Sequence, residues 1–327
     1  MEKILVTGGC GFIGSNFIRY ILKKYPQYKV INLDKLTYAG NLKNLKDIEK
    51  DSRYKFIKGD ICNFKVVKNL IKEVDTLINF ASETHVDRSL KKADDFLRTN
   101  FYGTYMLLES ARDKKIDLFL QISTDEVYGS RREGFFKEDT SLNPSNPYAV
   151  SKASADLLAL SYYRTYKLPV IITRSSNNFG PYQYPEKIIP LFITNLLENK
   201  KIPLYGNGLN TRDWLYVLDN VSAIDIVMHK GRIGEIYNIG GGNFLSNIQL
   251  AKILLQMMEK QGDFIEYVSD RPGHDFRYAL DSSKIKALGW SPVYSFEDAL
   301  KETVDWYKKN TLWWKHLKNK ARRKDGR

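Results

Sequence analysis

Tyr148 and Lys152 stand four apart in Tyr148-Ala149-Val150-Ser151-Lys152, a spacing that puts both on one face of a helix. An ammonium beside a phenol favours the phenolate and so turns a weak acid into a base usable at neutral pH. With 21 tyrosines in the chain, such a pair also arises on a surface by chance, and its weight depends on what accompanies it. Thr124-Asp125-Glu126 follows the apolar run 118–123, which puts two carboxyls at the carboxyl end of a strand, the edge where open α/β sheets bind ligands. Adjacent carboxyls there can equally begin a helix as caps.

A third group is a turn. Residues 4–7 run into Gly8-Gly9-Cys10-Gly11-Phe12-Ile13-Gly14, and residues 15–24 then have a helical pattern. In this G-x-x-G-x-x-G spacing Gly8 permits a tight turn, Gly11 lets backbone approach a pyrophosphate, and Gly14 allows close packing of helix on strand. The helix N-terminus then faces the phosphates. The next strand pattern ends at Asp34, where a carboxylate can accept from the adenosine ribose 2′-hydroxyl, which favours NAD over NADP. Gly59-Asp60-Ile61, after the third strand pattern, would sit beside the adenine.

The elements that must position these groups are legible as an alternation. Apolar runs at 4–7, 30–33, 54–57, 76–80, 119–123 and 170–173 read as buried parallel strands, and 15–24, 65–74, 99–114 and 148–166 between them have helical length and spacing. This pattern predicts a Rossmann-like, doubly wound parallel α/β sheet. After about residue 175, Pro181, Pro185, Pro190 and the clusters at Gly206 and Gly240 predict a smaller, loop-rich second domain. The 327 residues suit two domains without staples. Cys10 and Cys62 form no C-x-x-C and pair with no histidine at ligand spacing, so neither a disulfide framework nor a metal site is expected. No apolar run approaches a membrane span, and Met1 leads straight into the first strand pattern, so secretion is not expected. Of 51 basic residues against 38 acidic, seven lie in residues 311–327 with one acidic partner. Those seven, Lys315, Lys318, Lys320, Arg322, Arg323, Lys324 and Arg327, read as a solvated, fraying terminal helix, with nucleic acid as the less common alternative. His229 and His316 read as surface residues.

Taken together, the glycine turn and Y-x-x-x-K pair resemble the extended short-chain dehydrogenase/reductases, which act mostly on nucleotide sugars. Asp34-Lys35-Leu36-Thr37-Tyr38-Ala39-Gly40-Asn41-Leu42, ASETHVDRS at 81–89, Thr124-Asp125-Glu126, SNNFGPYQYPEKIIP at 176–190, Arg212-Asp213-Trp214 and DRPGHD at 270–275 narrow the similarity to the 4,6-dehydratases that act on dTDP-glucose. The similarity runs from about residue 3 to 309. It implies that Tyr148, aided by Lys152 and Thr124, takes the C4 hydroxyl proton while hydride leaves for NAD. Glu126 then removes the C5 proton as a protonated Asp125 releases the C6 hydroxyl as water, so the two carboxyls need pKa values held apart. Hydride returns to C6, and the cofactor stays bound and is regenerated every turn. Epimerases of this scaffold lack the Asp-Glu pair, and related decarboxylases carry Ser where Asp125 stands.

The resemblance also implies cofactor contacts from Gly8, Gly11, Phe12, Ile13, Gly14, Asp34, Lys35, Leu36, Thr37, Asp60, Ile61, Ala81, Ser82, Thr99 and Asn178, besides Tyr148 and Lys152. It implies substrate contacts from Thr84, Thr124, Asn177, Lys187, Ile188, Tyr205, Arg212, Asn247, Arg271 and His274, where cations suit a diphosphate. Arg212 and Asp213 have the alternative of a mutual salt bridge, and His85 reads as a hydrogen-bonding neighbour. Cys10 replaces a usual alanine and reads as a buried small hydrophobe. The domain division expected is an NAD-binding domain over 1–175, also receiving segments from about 212–240, and a nucleotide-sugar-binding domain over 176–327 that ends in the basic tail. A cytoplasmic homodimer is implied, with 99–114 and 148–166 pairing across a two-fold axis as a four-helix bundle. The rivals are a UDP-glucose dehydratase, an epimerase or decarboxylase of the same superfamily, and, from another class, a non-catalytic NAD-bound protein that holds RNA or another partner by its tail.

Overall fold

The computed structural model describes residues 2–270 and 272–324, those from 320 onward by backbone alone. All six apolar runs are strands: β1 (Lys3–Thr7), β2 (Lys29–Asp34), β3 (Tyr54–Lys58), β4 (Thr76–Asn79), β5 (Leu118–Thr124) and β6 (Val170–Ser175). The later part of the chain adds β7 (Asn177–Phe179), β8 (Ile202–Tyr205), β9 (Thr211–Tyr216), β10 (Ile236–Ile239), β11 (Phe244–Ser246) and β12 (Ile265–Val268). Seven strands form one parallel sheet in the order β10-β6-β5-β4-β1-β2-β3. The chain winds outward from β1 to β3 on one side and from β4 to β6 on the other, so β1 and β4 flank the switch point where a crevice opens at the carboxyl edge. Beyond β6 lie a three-stranded mixed sheet, β11-β9-β7, and the pair β12-β8.

Helices cover both faces of the large sheet. In Phe12–Lys24, Gly14, Phe17, Ile18, Ile21 and Leu22 make the buried stripe, and Lys23 and Lys24 sit in the last turn, where cations favour the helix dipole. The long helix Pro147–Tyr166 starts from Asn146, whose Oδ1 accepts from the Ala149 N–H at 2.9 Å, with proline at its first position. Its buried stripe carries Tyr148, Ser151, Lys152, Ala155, Asp156, Ala159 and Tyr162, so the Y-x-x-x-K pair does share one face, and that face looks inward. The helical pattern at 99–114 is a π-helical stretch, Leu97–Gly103, followed by Thr104–Lys114. The proline and glycine clusters after residue 175 break the chain less than their density suggests. Ile188–Leu197, Val217–Lys230, Asn247–Met257, Phe296–Lys309 and Thr311–Lys324 are all helices, and Pro190 falls in a first turn, where a missing N–H costs nothing.

His229, near the end of Val217–Lys230, is exposed, as its context suggests, but its ring is held on both sides, with Nδ1 3.0 Å from the buried Asp225 carboxylate and Nε2 2.7 Å from the Tyr28 hydroxyl. Asp225 also accepts from Lys24 Nζ at 2.6 Å and Tyr25 Oη at 3.0 Å. Against its burial, the hydrogen bonds from His229 and Lys24 hold this carboxyl below its usual range, and the Asp225 hydrogen bond holds His229 above its own. The Asp225 contribution to stability is therefore complete above the ordinary carboxyl pKa and lost as pH falls through its lower folded value. The His229 contribution is complete below pH 6.5 and lost as pH rises through its higher folded value. Asp225→Asn is expected to cost about 1–3 kcal/mol in urea denaturation at neutral pH and to flatten that pH dependence; an unchanged midpoint would remove the cluster from the stability of the fold.

Candidate active site

The glycine turn closes on itself. Gly8, at φ +71°, donates to the Leu33 carbonyl at 2.9 Å, and the Gly11 N–H donates to the Gly8 carbonyl at 3.1 Å. A methyl group on Gly8 would come within 2.6 Å of the Ala81 backbone nitrogen, and one on Gly14 within 2.6 Å of the Gly8 carbonyl oxygen, so both positions exclude a side chain. Gly11 caps the helix Phe12–Lys24 without a side chain of its own. That leaves the first turn open to a ligand that brings acceptors. Asp34, at the end of β2, is fixed by two backbone donors, Cys10 N–H to Oδ2 at 2.9 Å and Leu36 N–H to Oδ1 at 2.7 Å. Burial raises its carboxyl, and the two N–H groups oppose that rise. Cys10 is fully buried and its thiol is pushed up to about 12 by burial and by Asp34, so it behaves as the small hydrophobe expected. Lys35 pairs with Asp60 at 2.7 Å.

The carboxyl ends of β5 and β6 and the N-terminal turn of Pro147–Tyr166 complete the wall. A short 3-10 turn, Asp125–Tyr128, starts from Thr124, whose Oγ1 accepts from the Glu126 N–H at 3.3 Å and lies 3.2 Å from Asp125 Oδ1. Asp125 is 2 % exposed, and its Oδ2 has no hydrogen-bond partner among the described residues. Burial, reinforced by the neighbouring Glu126, pushes its carboxyl well above the usual range, which favours the protonated form. Glu126 Oε2 lies 3.4 Å from Asn146 Nδ2. Lys152 Nζ donates to the Ile122 carbonyl at 2.6 Å; burial lowers it to about 8 and Asp156, one turn on, opposes the fall. The Tyr148 phenol is pushed up, by burial first and then by Glu126, Asp125 and Asp156, while the Thr124 hydroxyl pulls the other way. Burial and these carboxyls together outweigh the groups that favour the phenolate, so that the phenol alone stays high.

These groups share one cavity of about 300 Å³ at the switch point. Its wall includes Gly8, Gly11, Phe12, Ile13, Gly14, Asp34, Lys35, Thr37, Asp60 and Ile61 on one side. Ala81, Ser82, Thr84, Thr99, Thr124, Asp125, Glu126, Tyr148, Lys152, Asn177, Asn178 and Lys187 complete it. Leu36 is not in the wall; at φ +59° it turns the chain and offers its N–H to Asp34. Ile188 begins the helix Ile188–Leu197 and packs on the core. Tyr205, Arg212, Asn247 and His274 lie outside the wall. Arg212 is buried among the carbonyls of Thr211 and Asp275, at 2.8 and 3.0 Å, and stacks over Tyr278 at 4.5 Å. Its neighbour Asp213 accepts instead from the Asn243 N–H at 2.9 Å, because successive side chains of a strand point to opposite faces. His274 Nδ1 is 2.6 Å from Asp270 Oδ1, Tyr205 lies beside it with ring centroids 6.2 Å apart, and Asn247 opens the helix Asn247–Met257. Arg271 lies outside the described residues. His85 caps the helix Val86–Lys91 and sits 3.8 Å from Glu186.

Tyr38, Glu83, Tyr184 and Glu186 are among the wall residues that had no assigned role in the sequence. Each stands inside a stretch quoted for its resemblance, which was the signal available. The Glu83 N–H donates to Asn100 Oδ1 at 2.8 Å, and burial raises the Glu83 carboxyl.

A crevice of backbone donors and a carboxylate at a strand end, opening beside a buried Tyr, a Lys and two adjacent carboxyls, defines a sheet enzyme built for a dinucleotide and an acid-base reaction on a second ligand. The glycine turn fits such a group, since side chains at Gly8 and Gly14 would fill the space it needs. Residues 5–303 match the GDP-mannose 4,6 dehydratase family, and the chain belongs to it. The dTDP-glucose 4,6-dehydratase of Streptomyces niveus is 49 % identical over 97 % of this chain and 96 % of its own. The crystal structure of the dTDP-glucose 4,6-dehydratase of Bacillus anthracis in complex with NAD superposes with a TM-score of 0.91 at 53 % identity, covering 97 % of this chain and 100 % of that one. DesIV, the dTDP-glucose 4,6-dehydratase of Streptomyces venezuelae, solved with NAD bound, gives 0.95 at 48 % identity over 97 % and 100 %.

Proposed function

We propose that this protein is a dTDP-glucose 4,6-dehydratase working with NAD. The observation that carries the reading is Asp125, a carboxyl that burial and Glu126 push towards its neutral form in the same cavity as Tyr148, Lys152 and the glycine turn. Loss of water from a sugar needs an acid for the departing hydroxyl and a base for the proton on the adjacent carbon, and the Asp125-Glu126 step offers one of each. Bound along the glycine turn and Asp34, NAD supplies the hydride acceptor for C4 and the hydride donor for C6. Tyr148, in the wall it shares with Thr124 and Lys152, takes the C4 hydroxyl proton as the phenolate, a form that the Lys152 ammonium and the positive nicotinamide of bound NAD would favour against the upward push of burial. Glu126 takes the C5 proton that the new ketone has acidified. Asp125 gives its proton to the C6 hydroxyl, which leaves as water. Return of a proton to C5 completes the 4-keto-6-deoxy sugar. Lys187, in the cavity wall, is the cation nearest to hand for the diphosphate.

The test is to incubate the purified protein with dTDP-glucose and with UDP-glucose, without added cofactor, and to follow the keto sugar by its absorbance in alkali. Product from dTDP-glucose is expected; no product from either sugar, even with NAD supplied, would overturn the substrate.

The reading includes a homodimer. Leu97, Phe101 and Tyr102, with Val150, Leu157 and Tyr166 of Pro147–Tyr166, leave large apolar side chains exposed on adjoining helices. A second copy packing there as a four-helix bundle would cover them. Leu157→Glu, at a side chain 58 % exposed, is expected to turn the sedimenting species from dimer to monomer, and an unchanged mass would move the interface elsewhere. Among the described residues no helix is long and apolar enough to cross a membrane, and both cysteines are free, which accords with a reducing cytoplasm.

A further inference from the structure

The basic C-terminal segment is the one feature of the sequence that the reaction leaves unused. Its helix, Thr311–Lys324, is anchored to the body of the protein. Trp314 and Leu317 are buried, the Trp314 indole donates to the Tyr307 carbonyl at 2.8 Å, and Lys318 reaches Asn195 Oδ1 at 2.7 Å and Glu198 at 3.1 Å. From that anchorage it touches two parts of the cavity wall. The Trp313 indole N–H donates to Asn44 Oδ1 at 2.9 Å, and Asn44, only 1 % exposed, donates from Nδ2 to the Cys10 carbonyl at 2.9 Å, inside the glycine turn. Leu317 packs against Tyr38 and Tyr184, with Ala39 and Trp313 at the margin of the cluster, and its carbonyl accepts from the Tyr184 hydroxyl at 3.4 Å. Trp313 also lies 6.1 Å, ring to ring, from Tyr182.

Tyr38 and Ala39 belong to the loop that leaves β2 past Asp34, and Tyr182 and Tyr184 to the segment that follows β7; all four line the cavity. We propose that the Thr311–Lys324 helix is a clasp on the cofactor, in which Trp313 and Leu317 are positioning residues that hold the 38–44 loop and the 182–184 segment together across the dinucleotide. The inference rests on the NAD reading above. Residues 35–41 form neither strand nor helix, and such segments open locally at low free energy. Every contact made only in the closed arrangement lowers the open population, and with it the rate at which a bound molecule escapes. The chemistry gives the clasp a purpose. A cofactor oxidised and reduced within a single turnover has no need to leave, whereas one that escaped in its reduced form would strand the enzyme in mid-reaction.

The experiment uses the full-length protein and labelled NAD. Trp313→Phe keeps the ring and removes the N–H; Leu317→Ala removes the packing; Leu312→Ala, 87 % exposed, serves as the control. NAD content per chain after prolonged gel filtration and the NAD dissociation rate are measured beside the thermal midpoint. Trp313→Phe is expected to speed dissociation about 3- to 10-fold, as loss of one hydrogen bond does, and the double variant further. Added NAD should restore wild-type kcat to both, with Leu312→Ala unchanged throughout. Dissociation at the wild-type rate in the double variant would overturn the clasp. So would NAD loss that follows only a fall in the thermal midpoint and is not rescued by added NAD. A wild-type protein that neither contains nor takes up NAD would instead bring down the cofactor reading, and the clasp with it.

Discussion

Tyr148→Phe is expected to lower turnover about 10²- to 10⁴-fold, the usual contribution of a positioned acid or base, while leaving the fold intact. The ring packs edge-on to Phe96, with centroids 6.3 Å apart, in a small cluster with Val86, and phenylalanine keeps those contacts. Only the hydroxyl is lost, and with it the acceptor for the C4 proton. The reading requires that a single-turnover mixture of variant and dTDP-glucose develop no near-ultraviolet absorbance of reduced nicotinamide; a wild-type rate of reduction would take Tyr148 out of the reaction. The same pair sets a pH limit. Burial lowers Lys152 to about 8, so the ammonium is present below that value and lost above it. Because burial, Glu126, Asp125 and Asp156 all push the phenol up, an ammonium in the same cavity is a charge it can ill spare. Accordingly kcat/KM should fall as pH rises through about 8, and Lys152→Met should abolish that limb together with most of the activity; a flat profile past pH 9 in the wild type would contradict the role.

Asp125→Asn is expected to separate the two halves of the reaction. The amide has nearly the shape of the carboxylic acid but cannot release a proton to a departing hydroxyl. Oxidation at C4 should proceed while loss of water slows by a comparable 10²- to 10⁴-fold, so that reduced nicotinamide accumulates as keto-deoxy product fails to form. Because burial and Glu126 disfavour a charge on Asp125, an uncharged amide there should leave the thermal midpoint close to that of the wild type. Unchanged turnover would assign the acid to another group, and absence of both product and reduced cofactor would mean that Asp125 acts before C4 is oxidised.

What was legible in the sequence was local. The glycine turn, Asp34, the Asp125-Glu126 step and the Tyr148-Lys152 pair are each set by a few consecutive residues at the end of one strand or the start of one helix, so spacing alone brings them to the carboxyl edge of the sheet. The charge relation inside the Tyr-Lys pair was not legible, because it depends on the Ile122 carbonyl that receives Lys152 and on the Asp125 and Glu126 carboxyls of another element. Nor was the environment of Arg212, whose guanidinium is taken up by carbonyls of residues 275 and 276 that come from far along the chain. His229 is a surface residue as its context suggested, and Asp225, one turn before it, was within reach of spacing, but Tyr28 comes from the loop before β2 and was not. The terminal segment did mislead. Its count of lysines and arginines pointed to solvent, while Trp313, Trp314 and Leu317, one turn of apolar side chains, are what seat it.

The strand β10 gives the protein a hazard at birth. It pairs with β6 at the outer edge of the large sheet, yet residues 176–235 separate the two in the chain. A ribosome adding about 5–20 residues per second needs several seconds to cross that interval. For that time the nascent sheet shows a bare, apolar parallel edge, the kind that recruits other strands. How well this protein survives overproduction should therefore depend on how fast, and how well guarded, those residues are made.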